Sequence, residues 1–205
     1  IEQDYRANID IKAQLDAETL IASGQGLLKN YLSGKSAADI GLVLNFTEQG
    51  FDYRAQVTSS LIGLSSTLPG DYAKSSEQPW PLNAVIQGDN ISNLITANIK
   101  QLFYFNAILD NANTHFNNAH FVIGKNDLGL NKKDLAVSIN LPQTDLLPWL
   151  ELIEQIINVS KQGSEQASAS VMPPLHEVLA NIEKLNISDV QFNDFEMRLA
   201  PTQND

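Results

Sequence analysis

Three histidines, His115, His120 and His176, are the residues of this 205-residue chain best suited to ligate a metal or shuttle a proton. His115 and His120 stand five apart in a segment of strand character, and the two-residue period of a strand predicts that they face opposite ways. No carboxylate lies beside them to complete a ligand set. His176 follows Pro173-Pro174 and reads as exposed. A nucleophilic serine would need an activating turn, and there is no Gly-x-Ser-x-Gly elbow. Gly24-Gln-Gly26 lacks the third glycine and the preceding strand of a dinucleotide loop. With no cysteine in the chain, disulfides and thiolate metal sites are excluded. Asn45-Phe-Thr47, Asn90-Ile-Ser92, Asn158-Val-Ser160 and Asn186-Ile-Ser188 match the glycosylation sequon, as expected by chance in an Asn-rich chain. The carboxylates are scattered through turns and wet faces. This inventory predicts a non-enzymatic protein with no catalytic residues, no metal and no cofactor.

Charge narrows the partners. The net charge is −11, from 13 basic and 24 acidic residues. Phosphate recognition needs Lys and Arg gathered on one face, and none are gathered here, so nucleic acid is excluded as a partner. Electrostatic attachment to anionic headgroups is disfavoured on the same ground. With 43% hydrophobic and 18% charged residues the composition is that of a folded chain. No apolar run approaches the ~18 residues of a membrane span, and no secretory signal is present. The chain opens at Ile1 with strand alternation under way by Tyr5, which reads as an internal piece of a longer protein.

The elements that would position any site are mostly strands. From Tyr5 to Asp16 the odd positions are apolar or aromatic and the even positions polar, the mark of a strand with one dry face. The phase recurs over Ala38–Phe46 and Phe51–Val57, joined by a turn at Thr47-Glu-Gln-Gly50. Further strands are predicted at Leu82–Gly88, Ile91–Ile99, Leu102–Asp110, His115–Gly124 and Asp134–Leu141, and a last pair near Ile182–Ile187 and Phe192–Leu199. Short turn-rich connections predict an antiparallel meander. Helical periodicity appears twice, near 17–32 with Asp16 as cap, and near 145–157 with Thr144 as cap and Pro148 in the first turn. The polar stretch 158–172 reads as a linker, and 173–205 as further strands of the same sheet. Phe103-Tyr-Phe105, with Phe116 and Phe121, forms an aromatic cluster that fits either a sandwich core or the floor of an apolar groove.

One stretch carries a family resemblance. Leu64-Ser-Ser-Thr-Leu-Pro-Gly-Asp-Tyr-Ala-Lys74, followed by Pro79-Trp-Pro-Leu82, sits behind the alternating strand Phe51–Val57. Later come Leu141-Pro-Gln-Thr-Asp-Leu-Leu-Pro-Trp149 and a strand–turn–strand ending at Leu185–Leu199. In this order they resemble the AsmA-like proteins of Gram-negative bacteria, specifically the YhdP branch. Gly70 departs from the pattern, standing where a second proline is common, and the polar stretch after Val159 is unusually long.

The resemblance implies a mainly β fold: a long antiparallel meander curled into a groove or taco-like half-barrel over residues 1–157, with about two helical segments. It implies a periplasmic location, in a protein anchored in the bacterial inner membrane, and a role in carrying phospholipid between inner and outer membranes. On this reading phospholipid acyl chains are the ligand, and membrane components are met through other parts of the protein. The groove-lining positions would be Tyr53, Ala55, Val57, Phe103, Phe105, Ala107, Leu109, Phe121, Ile123, Val137 and Ile139. Trp149, Leu150, Ile153 and Ile157 would form the face of a covering helix. Two rivals stand beside it: a structural or assembly scaffold for outer-membrane biogenesis that binds partners through its sheet edges, and a carbohydrate-binding or adhesin-type β-sandwich. Separately, unpaired strand edges are expected to let copies of the chain associate edge to edge.

Overall fold

The computed structural model describes residues 5–19, 28–48, 50–112, 115–126, 134–155, 173 and 175–200. The strands are β1 (Tyr5–Asp16), β2 (Leu32–Thr47), β3 (Gly50–Ser59), β4 (Leu64–Thr67), β5 (Ala73–Lys74), β6 (Leu82–Asp89), β7 (Ser92–Ile99), β8 (Phe103–Asp110), β9 (His115–Gly124), β10 (Asp134–Asp145), β11 (Leu175–Ile187) and β12 (Val190–Leu199). All belong to one 12-stranded sheet, in the order β12-β11-β10-β9-β8-β7-β6-β3-β2-β4-β5, with β1 also on β2. β1 and β12 each pair with a single neighbour, so the sheet is open and does not close into a barrel. A two-sheet sandwich is thereby ruled out for the described residues. Among them no helix is long and apolar enough to cross a membrane.

Turn chemistry explains the hairpins. Lys100 and Gln101 sit at φ 51° and 57° in the three-residue connection 100–102 between β7 and β8, where the Leu102 N–H donates to the Ile99 carbonyl at 2.9 Å. Two successive left-handed residues give the turn a twist that matches the strands. Between β6 and β7 the Asp89 carboxylate accepts the N–H groups of Ile91 and Ser92 at 2.7 and 3.0 Å. Those hydrogen bonds hold the Asp89 pKa below its usual value.

Antiparallel pairing holds from β1 to β9, although β4 and β5 leave the meander, β4 pairing back on β2 and β5 on β4 while β3 pairs with β6. Beyond β9 the pattern changes. β10 runs parallel to both β9 and β11, so the sheet is mixed. Alternation reports which face a residue occupies and carries no information about strand direction. The hint lay in length, because 125–133 exceeds the two to five residues of a tight hairpin.

Helical content is smaller than the periodicity suggests. Helical backbone occurs at 17–19, and Leu32 already opens β2, six residues before the expected strand; 20–27 lie outside the described residues. Near the second predicted helix β10 continues to Asp145, a 3-10 turn covers Leu147–Trp149, and helix runs over 150–155. Residues 156–157, and the predicted linker 158–172, lie outside the described residues.

An apolar sheet face closed at one end

Register defines the site. Reading straight across the sheet, one row runs Ile11, Ile40, Val57, Ala84, Ala97, Phe105, Phe121, Val137, Val178, Leu199. Ten strands contribute and every side chain is apolar. At ~4.8 Å between strands the row is about 45 Å wide. Shifting one residue along each strand gives Lys12, Asp39, Thr58, Asn83, Asn98, Tyr104, Val122, Ser138, Leu179, Arg198, which is largely polar. A single-residue slip would exchange the two sets, so this pattern pins the register. Tyr53, Ala55, Val57, Phe103, Phe105, Ala107, Leu109, Phe121, Ile123, Val137 and Ile139 all fall on the apolar face by this pairing.

One end of that face is covered. Residues Leu61–Trp80 pack across it as a strap containing β4, the 3-10 turn Gly70–Tyr72 and β5. Leu61, Leu64 and Trp80 are buried with Ala17 against Leu15, Leu32, Leu82 and Ile99. Leu68 and Tyr72 are buried with Leu141, Leu152, Ile182 and Leu185. Leu102 and Phe103 touch both groups, so the two clusters form one wall from β1 to β12. At its centre the Tyr72 ring meets Phe103 edge-on at 5.2 Å and Trp149 at 5.6 Å, and Trp80 lies 6.2 Å from Phe103. Such tilted pairs favour the ring quadrupoles beyond simple area burial.

The second strap follows β10. Trp149 is half-buried against the wall and its indole N–H donates to Thr144 Oγ1 at 2.9 Å. Leu150, assigned to the covering face from sequence, is 47% exposed, whereas Leu152 is 6% exposed and takes the inner position. The 3-10 turn ahead of the helix winds three residues per turn instead of 3.6, which rotates the face. Ile153 is half-buried, and Ile157 lies outside the described residues.

At the other strand ends, which form the open lip of the face, nothing comparable covers the described residues. Tyr5, Phe46 and Phe51 form a tilted ladder with centroids 6.1 and 6.2 Å apart, exposed by 65%, 42% and 39%. Ile9 and Ile11 on β1 are each 41% exposed. Between lip and wall, Ala107 and Ala119 oppose each other on the floor, flanked by an edge-to-face contact of Phe105 and Phe116 at 6.0 Å. Near the lip a polar run crosses the face: the Tyr53 hydroxyl donates to Asn93 Oδ1 at 2.7 Å, Asn93 donates to Asn111, and Asn111 donates to the Asp89 carbonyl at 2.8 Å. Gly88 makes room for it, because a Cβ there would sit 2.2 Å from Asn93 Oδ1.

Polar groups with altered chemistry cluster in the wall. Lys74 is 6% exposed and its ammonium donates to the carbonyls of Leu64 at 2.6 Å and Ser75 at 3.0 Å. Burial lowers its pKa. The Tyr72 phenol is pushed up to about 12 by burial, with Asp71 adding to the shift. Trp80 Nε1 and the Tyr31 hydroxyl are buried without a hydrogen-bond partner.

The opposite face is not uniformly wet. Val122, Ala136, Ser138 and His120 are buried on it, and His120 Nε2 lies 2.8 Å from Ser138 Oγ. A hollow of about 100 Å³ on the same face, lined by Arg54, Val85, Gln87, Leu94 and Thr96, is too small for a lipid chain. A bulge at Asn117 puts Phe116 opposite Leu109 and His115 opposite Asp110. His115 and His120 therefore share a face, contrary to the strict alternation expected, but stay apart, since His120 faces Asn106. Among the described residues no group of three His, Cys, Asp or Glu could hold a metal ion.

Sequence reasoning gave Tyr72, Trp80 and Leu68 no part in the site. The available signal was Trp80 flanked by Pro79 and Pro81, a large ring at a rigid crossing point.

No curated protein and no solved structure matches the chain. The family model described as YhdP protein matches residues 1–205. The strap, the single open sheet and that match over the whole chain agree, and the chain belongs to the YhdP family.

Proposed function

We propose that this chain shelters the acyl chains of phospholipid on its open apolar face, as a non-enzymatic segment of a protein that carries lipid between the inner and outer membranes. The YhdP family is of lipid-transport type. On this reading the chain works in the periplasm, and other parts of the protein supply the inner-membrane anchor and the membrane contacts. One observation carries the reading: a single apolar face ten strands wide with large side chains left exposed at one end. An exposed apolar surface of that extent marks a partner of like character. Each CH₂ removed from water gains about 0.8 kcal/mol, enough to hold a lipid tail without any polar contact.

The test places a photo-crosslinking residue at Phe105 or at Asn106 in the full-length protein in cells. Capture of phospholipid at Phe105 and not at Asn106 is expected. Equal capture at both, or none at Phe105, would overturn the reading. A second reading follows from the outer edges of β1 and β12, unpaired among the described residues, which offer backbone hydrogen bonds to a protein strand. Crosslinking to protein at β1, with no lipid at Phe105, would favour it.

A further inference from the structure

We propose that the bound lipid lies along the strands, its tail ends against the Tyr72–Phe103–Trp149 wall and its headgroup at the lip beside Tyr5, Phe46 and Phe51. This rests on the lipid-binding reading above and adds the ligand's orientation and depth.

Three observations carry it. The first is length. From Leu109 at the lip to Phe103 at the wall is six residue steps, about 20 Å at ~3.3 Å each. One leaflet of a bilayer's hydrocarbon core is about half of ~30 Å thick, so a tail of membrane length fits between lip and wall with little to spare. The second is closure. The wall joins β1 to β12 through Leu102 and Phe103 without a break in its contacts, so a tail running down the floor ends on aromatic rings. A headgroup placed there would lose its hydration among aromatic rings, and the wall's buried ammonium, Lys74, is already held by the carbonyls of Leu64 and Ser75. The third is the polar run from Tyr53 through Asn93 to Asn111. It crosses the floor in the row of Leu109, the level from which the tail span is measured, where the ester region of a lipid held in this direction would lie.

The chain provides its own reporter. It contains two tryptophans, Trp80 and Trp149, and both stand in the wall. The unmodified chain would be loaded from vesicles with phosphatidylcholine bearing a nitroxide near the tail end, or with the isomer bearing it close to the headgroup. Co-elution of the nitroxide signal with the protein measures binding independently of position. Tail-end nitroxide should quench tryptophan fluorescence several-fold more than its headgroup-proximal isomer. Equal quenching with lipid bound would mean that tails lie across the strands and would overturn the orientation alone. Stronger quenching by the headgroup-proximal isomer would reverse it. If no lipid co-elutes, the lipid-binding reading falls and the orientation falls with it.

Discussion

Phe105 and Trp80 are both aromatic and both on the dry side of the sheet, but their surroundings differ. Trp80 is 3% exposed inside the wall and Phe105 is half-buried on the open floor. Trp80→Ala should therefore cost the full ~3–5 kcal/mol of a core aromatic, and Phe105→Ala about half of it. Trp80→Phe should cost far less than Trp80→Ala, because the indole N–H it removes makes no hydrogen bond. Denaturant midpoints of the three variants decide this, and equal losses for Trp80→Ala and Phe105→Ala would mean that the floor is a closed core. Two neighbours in the strap respond to alkali in opposite senses. Tyr72 holds its proton more tightly when folded, with a pKa about 12 against 10.0. Its contribution is complete below 10 and is lost as pH rises toward 12. Lys74 is depressed below 10.5, so its charged form weighs against the folded state at neutral pH, and that penalty is relieved as pH climbs through the lowered value toward 10.5. Tyr72→Phe should flatten the fall in stability between pH 10 and 12 in equilibrium unfolding. An unchanged slope would place the phenol in water.

The strap is anchored by a close backbone crossing. Gly63 has φ +98° and a Cβ there would lie 2.1 Å from the Lys35 carbonyl oxygen; Gly34, at φ +94°, meets the Gly63 oxygen at the same distance. Gly63→Ala should destabilise by more than ~1 kcal/mol through conformation alone, and more through the clash. A midpoint unchanged from wild type would show that the strap is dispensable to folding. At this scale the sequence is readable where one rule acts and opaque where two compete. Period-two alternation gives the apolar face of β1, β3 and β8 residue by residue, because each is regular and has one apolar side. It fails at Asn117, where a bulge turns His115 to the face of His120. It fails again in β11, where burial passes from Ile182 to Leu185 and the alternation skips a residue. The strap escaped for another reason. Tyr72 and Leu68 lie in short irregular pieces, and irregular backbone has no period to read.

Across the whole molecule, an open sheet has two borders. Among the described residues β1 leaves one edge unpaired and β12 the other. They run in opposite directions, because two successive parallel steps at β10 leave the alternation of direction unchanged at the borders. A second copy can then lay its β1 against β12 in antiparallel fashion with both apolar faces on one side. Such head-to-tail contact does not close on itself and builds chains, not dimers. Sedimentation should show mass rising with concentration, and a charge on the border strand, Ile9→Lys, should suppress it. Mass independent of concentration would mean that the edges are blocked.

The parallel placement of β10 also sets an order of events in time. The hairpins β2–β3, β6–β7, β7–β8, β8–β9 and β11–β12 join strands adjacent in sequence, and such local pairs close within microseconds. β10 has no hairpin partner on either side, and it meets β11 in parallel across the 29-residue connection 146–174. Non-local parallel pairing is intrinsically slow. For that interval β9 and β11 each present a bare strand edge, the stage at which a nascent chain is most open to capture by a chaperone or by another copy of itself. Pulse-labelled hydrogen exchange during refolding should find the amides of Val137–Leu141 protected last. Protection of β10 together with β8 would mean instead that the sheet assembles in a single step.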